Sequence, residues 1–170
     1  MNLASILAEA VAAEPNKVAF KLDDVELTYH ALDEGSARVA GMLREAGVGP
    51  GDRVGIMLPN VPYFPVAYYG VLRLGAVVVP MNVLLKGREV RYYLEDPGAK
   101  ALIAWNGFEE AAREGAEGLP VETIIVTPGE FEQGLGAYEP VREIADRGED
   151  DTAVILYTSG TTTAPSRSTA

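Results

Sequence analysis

Residues 153–162 read Ala-Val-Ile-Leu-Tyr-Thr-Ser-Gly-Thr-Thr, an apolar run that passes directly into a loop rich in glycine and hydroxyl side chains. Residues 154–156 are apolar and partly β-branched, and they follow the acidic residues 149–151, which predicts a short strand buried on both faces. Open α/β sheets bind ligands at the carboxyl ends of such strands. The stretch therefore predicts an α/β fold with a ligand-binding loop that begins at Thr158.

The chemistry of this loop suits phosphate oxygens. Gly160 allows the backbone to approach a ligand closely, and successive backbone N–H groups on a tight loop form an anion-binding concavity. Hydroxyl groups come from Thr158, Ser159, Thr161 and Thr162. An ordinary polar turn has a similar composition, so local chemistry alone leaves both interpretations open. The loop is not a Walker A motif, because no Gly-Lys pair follows Gly160.

The wording of the loop resembles the signature of the adenylate-forming superfamily, which includes acyl-CoA synthetases, peptide synthetase adenylation domains and firefly luciferase. The family pattern is an aromatic residue followed by Thr-Ser-Gly-Thr-Thr-Gly-x-Pro-Lys-Gly. Residues 157–162 match it without a gap, and Pro165 falls in register. The chain departs from the pattern at Thr163, Ser166 and Arg167, where the family has Gly, Lys and Gly.

Three earlier segments support the resemblance, in the order the family has them. Residues 27–32, Leu-Thr-Tyr-His-Ala-Leu, are similar to the first core motif of the superfamily, and residues 71–80 are similar to the second. Residues 49–60 between them follow the usual wording of the family. The resemblance thus covers residues 1–162. Asn82 is more typical of acyl-CoA synthetases than of peptide synthetases, so the chain looks most like the fatty acid–CoA ligases.

The resemblance implies a chemistry for the loop. Thr158, Ser159, Gly160, Thr161 and Thr162 would hold the β- and γ-phosphates of ATP, with Mg²⁺ accompanying the nucleotide. A small-molecule carboxylate would attack the α-phosphorus to give an acyl-adenylate, and CoA would then displace AMP. The other groups that the family uses lie further along its sequence, so no catalytic residue is assigned here. Two alternatives stay open: a piece of an amino-acid-activating domain, or a truncated, non-catalytic protein with a folding or interaction role only.

The resemblance ends abruptly, which suggests a division of the chain. Residues 1–162 are expected to be the N-terminal α/β portion of an adenylate-forming domain, and residues 163–170 a divergent, disordered tail. A frameshift near codon 163 would produce such a tail, and a natural or deliberate variant is the other explanation. A fragment of a larger domain also exposes apolar surface, so we expect a homodimer or aggregation.

Composition narrows the class of protein. The chain has 170 residues and a formal net charge of −11. It has no cysteine, and this excludes disulfides and Cys-based metal sites. The sequence has no basic patch of the kind that nucleic-acid binding needs. The N-terminus lacks the basic region of a signal peptide, and the longest apolar stretch, 61–80, is interrupted by two prolines and an arginine. A cytoplasmic protein without a membrane span is expected.

Periodicity predicts alternating helices and strands, hence an open, mostly parallel sheet with helices on both faces. A hairpin is expected around the turn 23–24, and Thr28 is expected to cap the helix that follows. The predicted strands of the sheet are 53–58, 76–79, 101–104 and 122–126. Residues 127–151 are predicted to form a long surface loop with one short helix near 141–146.

Several single residues have two interpretations. His30, the only histidine, lies in the first turn of a predicted helix and is far more typical of a solvated side chain than of a catalytic base. Tyr63 and its aromatic neighbours on the same helix are expected to pack on the sheet or to line a substrate tunnel. Trp105, after a predicted strand, is either an edge residue or a ligand contact.

Overall fold

A sheet of four parallel strands lies at the centre of the molecule, for which the computed structural model describes residues 2–158 and the backbone of 166–169. The strand order is β4–β3–β5–β6. Val54 in β3 pairs with Val78 in β4 and with Ala101 in β5, so β3 and β5 are interior strands. The bounds are Arg53–Met57 for β3, Val77–Pro80 for β4, Ala99–Trp105 for β5 and Glu122–Val126 for β6.

Helices cover both faces of this sheet. On one face, Ile56 and Ile103 pack against α1, α2, α3 and α6, which span Ala4–Ala13, Tyr29–Glu45, Tyr63–Arg73 and Glu130–Leu135. On the other face, Leu102 and Ala104 pack against α4, Gly87–Glu95, and α5, Glu109–Ala116. Successive residues of β5 therefore enter opposite cores, as alternation along a buried strand requires. The predicted α/β architecture with a parallel sheet and two helical layers is confirmed.

The predicted hairpin near the N-terminus is present. Strands β1, Val18–Leu22, and β2, Val25–Thr28, pair antiparallel around Asp23, which has a positive φ of 52°. The Thr28 hydroxyl accepts a hydrogen bond from the Ala31 N–H at 3.2 Å and so caps α2 as expected. Asp23 tolerates the left-handed conformation better than most residues, because its short side chain can bond to nearby backbone.

The segment between β6 and residue 154 differs from the prediction. Its helix is α6, and residues 141–146, expected to be helical, are not. Phe131 and Leu135 of α6 are buried in the core, and the Glu132 carboxylate accepts from the Gly129 N–H at 2.7 Å. Burial of two large apolar side chains and a capped first turn explain why the helix forms there.

The stretch after α6 is held by tertiary hydrogen bonds instead of helical ones. The Val141 N–H donates to the Ala37 carbonyl at 2.8 Å, and the Ala145 N–H donates to the Arg73 carbonyl at 2.9 Å. The buried guanidinium of Arg73 donates to the Arg142 carbonyl at 2.9 Å and pairs with Asp33. These partners satisfy backbone groups that a helix would otherwise satisfy internally.

Strand β7, Ile155–Thr158, is a second difference. It pairs antiparallel with β8, Ser166–Thr169, and touches the main sheet through one parallel bridge between Val78 and Val154. Leu156 is 45% exposed, so the strand is buried on one face and not on both. The expected burial on two faces is wrong because β7 joins no interior position of the parallel sheet.

Two further expectations concern the whole chain. The boundary at residue 162 and a disordered tail stay predictions: residues 163–165 and 170 lie outside the described residues, and the backbone of 166–169 forms β8. Within the part of the chain that the structure describes, no helix has both the length and the apolar character needed to cross a bilayer.

Candidate phosphate-binding loop and its stem

The proposed ligand loop begins at the end of β7. Thr158, the last residue of that strand, is exposed. Ser159, Gly160, Thr161 and Thr162 lie outside the described residues. Their assignment to ATP therefore stays a prediction, and the described structure defines the stem from which the loop leaves and returns, namely β7 and β8.

The side chains of β7 alternate between the protein body and the surface. Ile155 is buried in the core beneath α4, and Tyr157 packs on that same core. Leu156 and Thr158 are exposed. Tyr157 is thus the last side chain of the strand that packs into the body before the loop begins.

Tyr157 sits in a cluster of aromatic rings on α4. Its ring centroid lies 4.4 Å from that of Tyr93 and 5.8 Å from that of Tyr92. Its hydroxyl donates a short hydrogen bond, 2.5 Å, to the carboxylate of Asp96, which directly follows α4. Burial raises the pKa of the Tyr93 hydroxyl, with a smaller contribution from the Glu89 carboxylate.

The turn that carries Asp96 is itself fixed to the sheet. Arg53, the first residue of β3, donates from Nε to the Pro97 carbonyl at 2.6 Å and from Nη2 to the Gly98 carbonyl at 2.9 Å. Gly98 has a φ of 65°, a conformation in which glycine carries no steric cost. The stem of the loop is therefore connected to the central sheet through Tyr157, Asp96 and the turn bound by Arg53.

Strand β7 begins near the amino edge of the parallel sheet. Ile155 lines a cleft together with Arg53 and Pro97, which lie at the amino ends of β3 and β5. The carboxyl ends of the parallel strands lie at the opposite edge. The bridge between Val154 and Val78 is parallel, so the chain enters β7 running in the same direction as β4. The expectation that the loop follows a strand of the parallel sheet stays a prediction.

The carboxyl edge of the sheet carries an aromatic and acidic cluster. Tyr63 lies 5.7 Å from Trp105 and 6.1 Å from Phe131 between ring centroids, and its hydroxyl donates to the carboxylate of Glu132. Burial, together with the neighbouring carboxylate, raises the pKa of Tyr63 to about 12. Burial alone would raise the pKa of Glu132, but hydrogen bonds from Tyr63 and from the Gly129 N–H outweigh it and lower that pKa. Trp105 and Tyr63 thus pack together at this edge, and a substrate or ligand contact by either residue stays a prediction.

Sequence reasoning missed some contacts and anticipated others. Asp96 carried no motif that could have marked it, since its role depends on the packing of α4 against β7. His30 is exposed in the first turn of α2, as expected of a solvated histidine. Among residues 2–158, no three acidic or histidine side chains converge in a way that could hold a metal ion.

Comparison with known proteins agrees with the fold and with the family resemblance. The family model described as AMP-binding enzyme matches residues 7–166. The chain belongs to the AMP-binding enzyme family. Its relatives include adenylate-forming acid–CoA ligases, and the described fold corresponds to the N-terminal domain of such enzymes.

Two curated relatives and one solved structure illustrate the similarity. A 3-oxocholest-4-en-26-oate–CoA ligase of Rhodococcus rhodochrous is 32% identical over 97% of this chain and 32% of the relative. A long-chain-fatty-acid–CoA ligase of Mycobacterium tuberculosis is 33% identical over 96% of this chain and 34% of the relative. The crystal structure of a benzoate CoA ligase from Burkholderia xenovorans LB400 superposes with a TM-score of 0.88 at 29% identity, covering 99% of this chain and 34% of that one. The chain therefore spans about a third of the length of these two relatives.

Proposed function

We propose that this chain supplies the phosphate-binding loop of an ATP-dependent, AMP-forming acid–CoA ligase. Residues 158–162 would hold the β- and γ-phosphates of ATP. The observation that carries the proposal is the unbroken match of residues 157–162 to the family signature, in a chain that belongs to the AMP-binding enzymes. The anchored stem around Tyr157 supports it, because a binding loop gains affinity when its ends are held before the ligand arrives.

The residues of the loop offer hydrogen-bond donors that suit the oxygens of a triphosphate. Thr158, Ser159, Thr161 and Thr162 offer hydroxyl groups, and the backbone around Gly160 offers N–H groups. When bound, ATP would supply an α-phosphorus open to attack by a carboxylate. A chain with a net charge of −11 repels a triphosphate over long range, so we propose that Mg²⁺ enters with the nucleotide.

The loop of this chain lacks the positive charge that the family places beside the phosphates. Ser166 stands at the position of the family lysine, and Arg167 follows one residue later with a different geometry. We therefore propose weak ATP binding by the chain alone and no turnover by it. Adenylation and CoA transfer would need groups that residues 1–170 do not provide.

We propose the substrate class from the relatives, without naming an individual acid. A carboxylic acid, with a fatty acid as the first choice, would be the acyl donor, and CoA the acceptor. An amino acid is the alternative acyl donor. Grafting this segment into a full-length relative, and assaying thioester formation with a fatty acid and with an amino acid, would distinguish the two. A cytoplasmic location is proposed with the same function and is tested by fractionation of expressing cells.

Calorimetric titration with ATP, ADP and AMP in the presence of Mg²⁺ tests the proposal. Recognition of the β- and γ-phosphates predicts that ATP binds more tightly than ADP and that AMP binds least. Gly160→Val should abolish the preference, since a side chain blocks close approach of the backbone. Gly134→Val is the matched control, because Gly134 lies in α6 and a Cβ added there would meet open space. No heat with ATP, or equal affinity for all three nucleotides, would contradict the proposal.

A further inference from the structure

We infer that Tyr157 and Asp96 form a positioning pair that fixes the stem of the phosphate loop, an inference whose ligand rests on the proposed function. Tyr157 is the last β7 side chain that packs into the protein, and Thr158 beyond it is exposed. Its phenol donates to Asp96 at 2.5 Å while its ring lies 4.4 Å from that of Tyr93. Two independent contacts therefore hold the residue that precedes Thr158.

The contacts around the pair restrict the motion of both side chains. A hydrogen bond to a carboxylate is about twice as strong as one between neutral groups. Asp96 cannot move freely, because its own N–H donates to the Tyr92 carbonyl at 3.0 Å and the next two carbonyls bind Arg53. The aromatic contact with Tyr93 restricts the ring, so rotation of Tyr157 would break both contacts at once.

Loss of the Tyr157–Asp96 contact is expected to affect the loop and not the core. β7 pairs with β8, and it contacts the rest of the protein through the buried Ile155, the bridge at Val154 and the Tyr157–Asp96 pair. Loosening the pair would therefore loosen Thr158, the residue from which the proposed loop leaves. A loop whose donors already point towards the phosphates binds more tightly than one that must be ordered on binding.

Hydrogen exchange of the intact chain tests the pair without any ligand. Tyr157→Phe removes only the hydroxyl, and Asp96→Ala removes the acceptor. Both should speed exchange of the amides of residues 156–159 about tenfold, as expected for loss of one charge-assisted hydrogen bond. Asp96→Asn keeps an acceptor oxygen and should restore part of the protection. Glu95→Gln is the matched control, because Glu95 is the exposed neighbour that pairs with Arg91.

The second readout separates positioning from a general structural role. Tyr157→Phe and Asp96→Ala should raise the Kd for Mg²⁺-ATP about tenfold, while exchange of β3 and β5 amides and the melting temperature stay at the values of the parent chain. Unchanged exchange at residues 156–159, or faster exchange in a chain that binds ATP with unchanged affinity, would overturn the inference. Failure of the parent chain to bind ATP would instead contradict the proposed function, and the exchange data alone would then decide whether the pair fixes the stem.

Discussion

At the scale of single residues, the departure of the loop from its family pattern has a measurable consequence. Ser166 occupies the position at which the family carries lysine. Ser166→Lys should lower the Kd for Mg²⁺-ATP about tenfold, which corresponds to ~1.4 kcal/mol from one charge-assisted contact. Calorimetric titration measures the change. Ser168→Lys adds the same charge two residues later, and equal tightening by both variants would show that only net charge matters.

Tyr63 provides a prediction that depends on pH. Burial and the carboxylate of Glu132 raise its pKa from 10.0 to about 12, so the folded state holds this proton more tightly than the unfolded state. The stabilisation is complete below the pH where a free tyrosine ionises and is lost as the pH rises towards 12. Absorbance titration near the tyrosinate band should show a late phase that Tyr63→Phe removes.

Glu132→Gln separates the two causes of that shift. The variant keeps a hydrogen-bond acceptor but removes the negative charge, so the late phase should move to lower pH and remain above the ordinary tyrosine value because burial persists. A late phase that is unaffected by both Tyr63→Phe and Glu132→Gln would show that another tyrosine is responsible.

At the scale of elements, the sequence predicted those features that depend on residues close together along the chain. The hairpin around Asp23 and the cap at Thr28 follow from residue chemistry within a few positions. The helix expected near 141–146 was wrong because the choice depends on distant partners. Arg73 and Ala37 provide hydrogen bonds that no pattern within 141–146 could reveal.

The candidate site likewise contains residues that a local motif identifies and residues that only tertiary packing brings to it. Residues 157–162 were identified from a contiguous motif, and their phosphate role is still a prediction. Asp96 and Arg53, which hold the stem, are 61 and 104 positions away from Tyr157 along the chain and carry no motif of their own. Tertiary packing alone brings them together.

The buried ion pair between Arg73 and Asp33 joins α3 to α2, and its loss should be costly. Arg73 is 3% exposed, and Asp33→Ala would leave its guanidinium buried with one partner fewer. We expect a loss of about 3 kcal/mol in the free energy of unfolding, measured by urea denaturation. Glu34→Ala, which removes the adjacent surface ion pair with Arg142, should change stability far less. Similar losses for the two variants would contradict the special role of the buried pair.

At the scale of the whole molecule, one exposed apolar surface supports the expected self-association. Phe20, Leu22 and Val25 lie on one face of the β1–β2 hairpin and are 42%, 40% and 57% exposed. We propose that two copies meet through this face. The net charge of −11 opposes association, so dimer formation should increase with salt, which screens that repulsion.

Light scattering over a range of concentrations measures this association. Phe20→Lys should give a monomer under conditions where the parent chain is dimeric. Leu84→Lys is the control, since Leu84 is a 72% exposed apolar side chain outside the hairpin. A parent chain that stays monomeric at high concentration and high salt would exclude the dimer.

The most direct test of the central claim is an amide NMR titration of the whole chain with Mg²⁺-ATP. If residues 158–162 bind the phosphates, their amide resonances should shift first and saturate together, while those of β3 and β5 stay in place. AMP should produce much smaller shifts at the same amides, because it lacks the β- and γ-phosphates. Saturable shifts confined to another surface, or none at the loop at millimolar ATP, would contradict the assignment of this loop to phosphate binding.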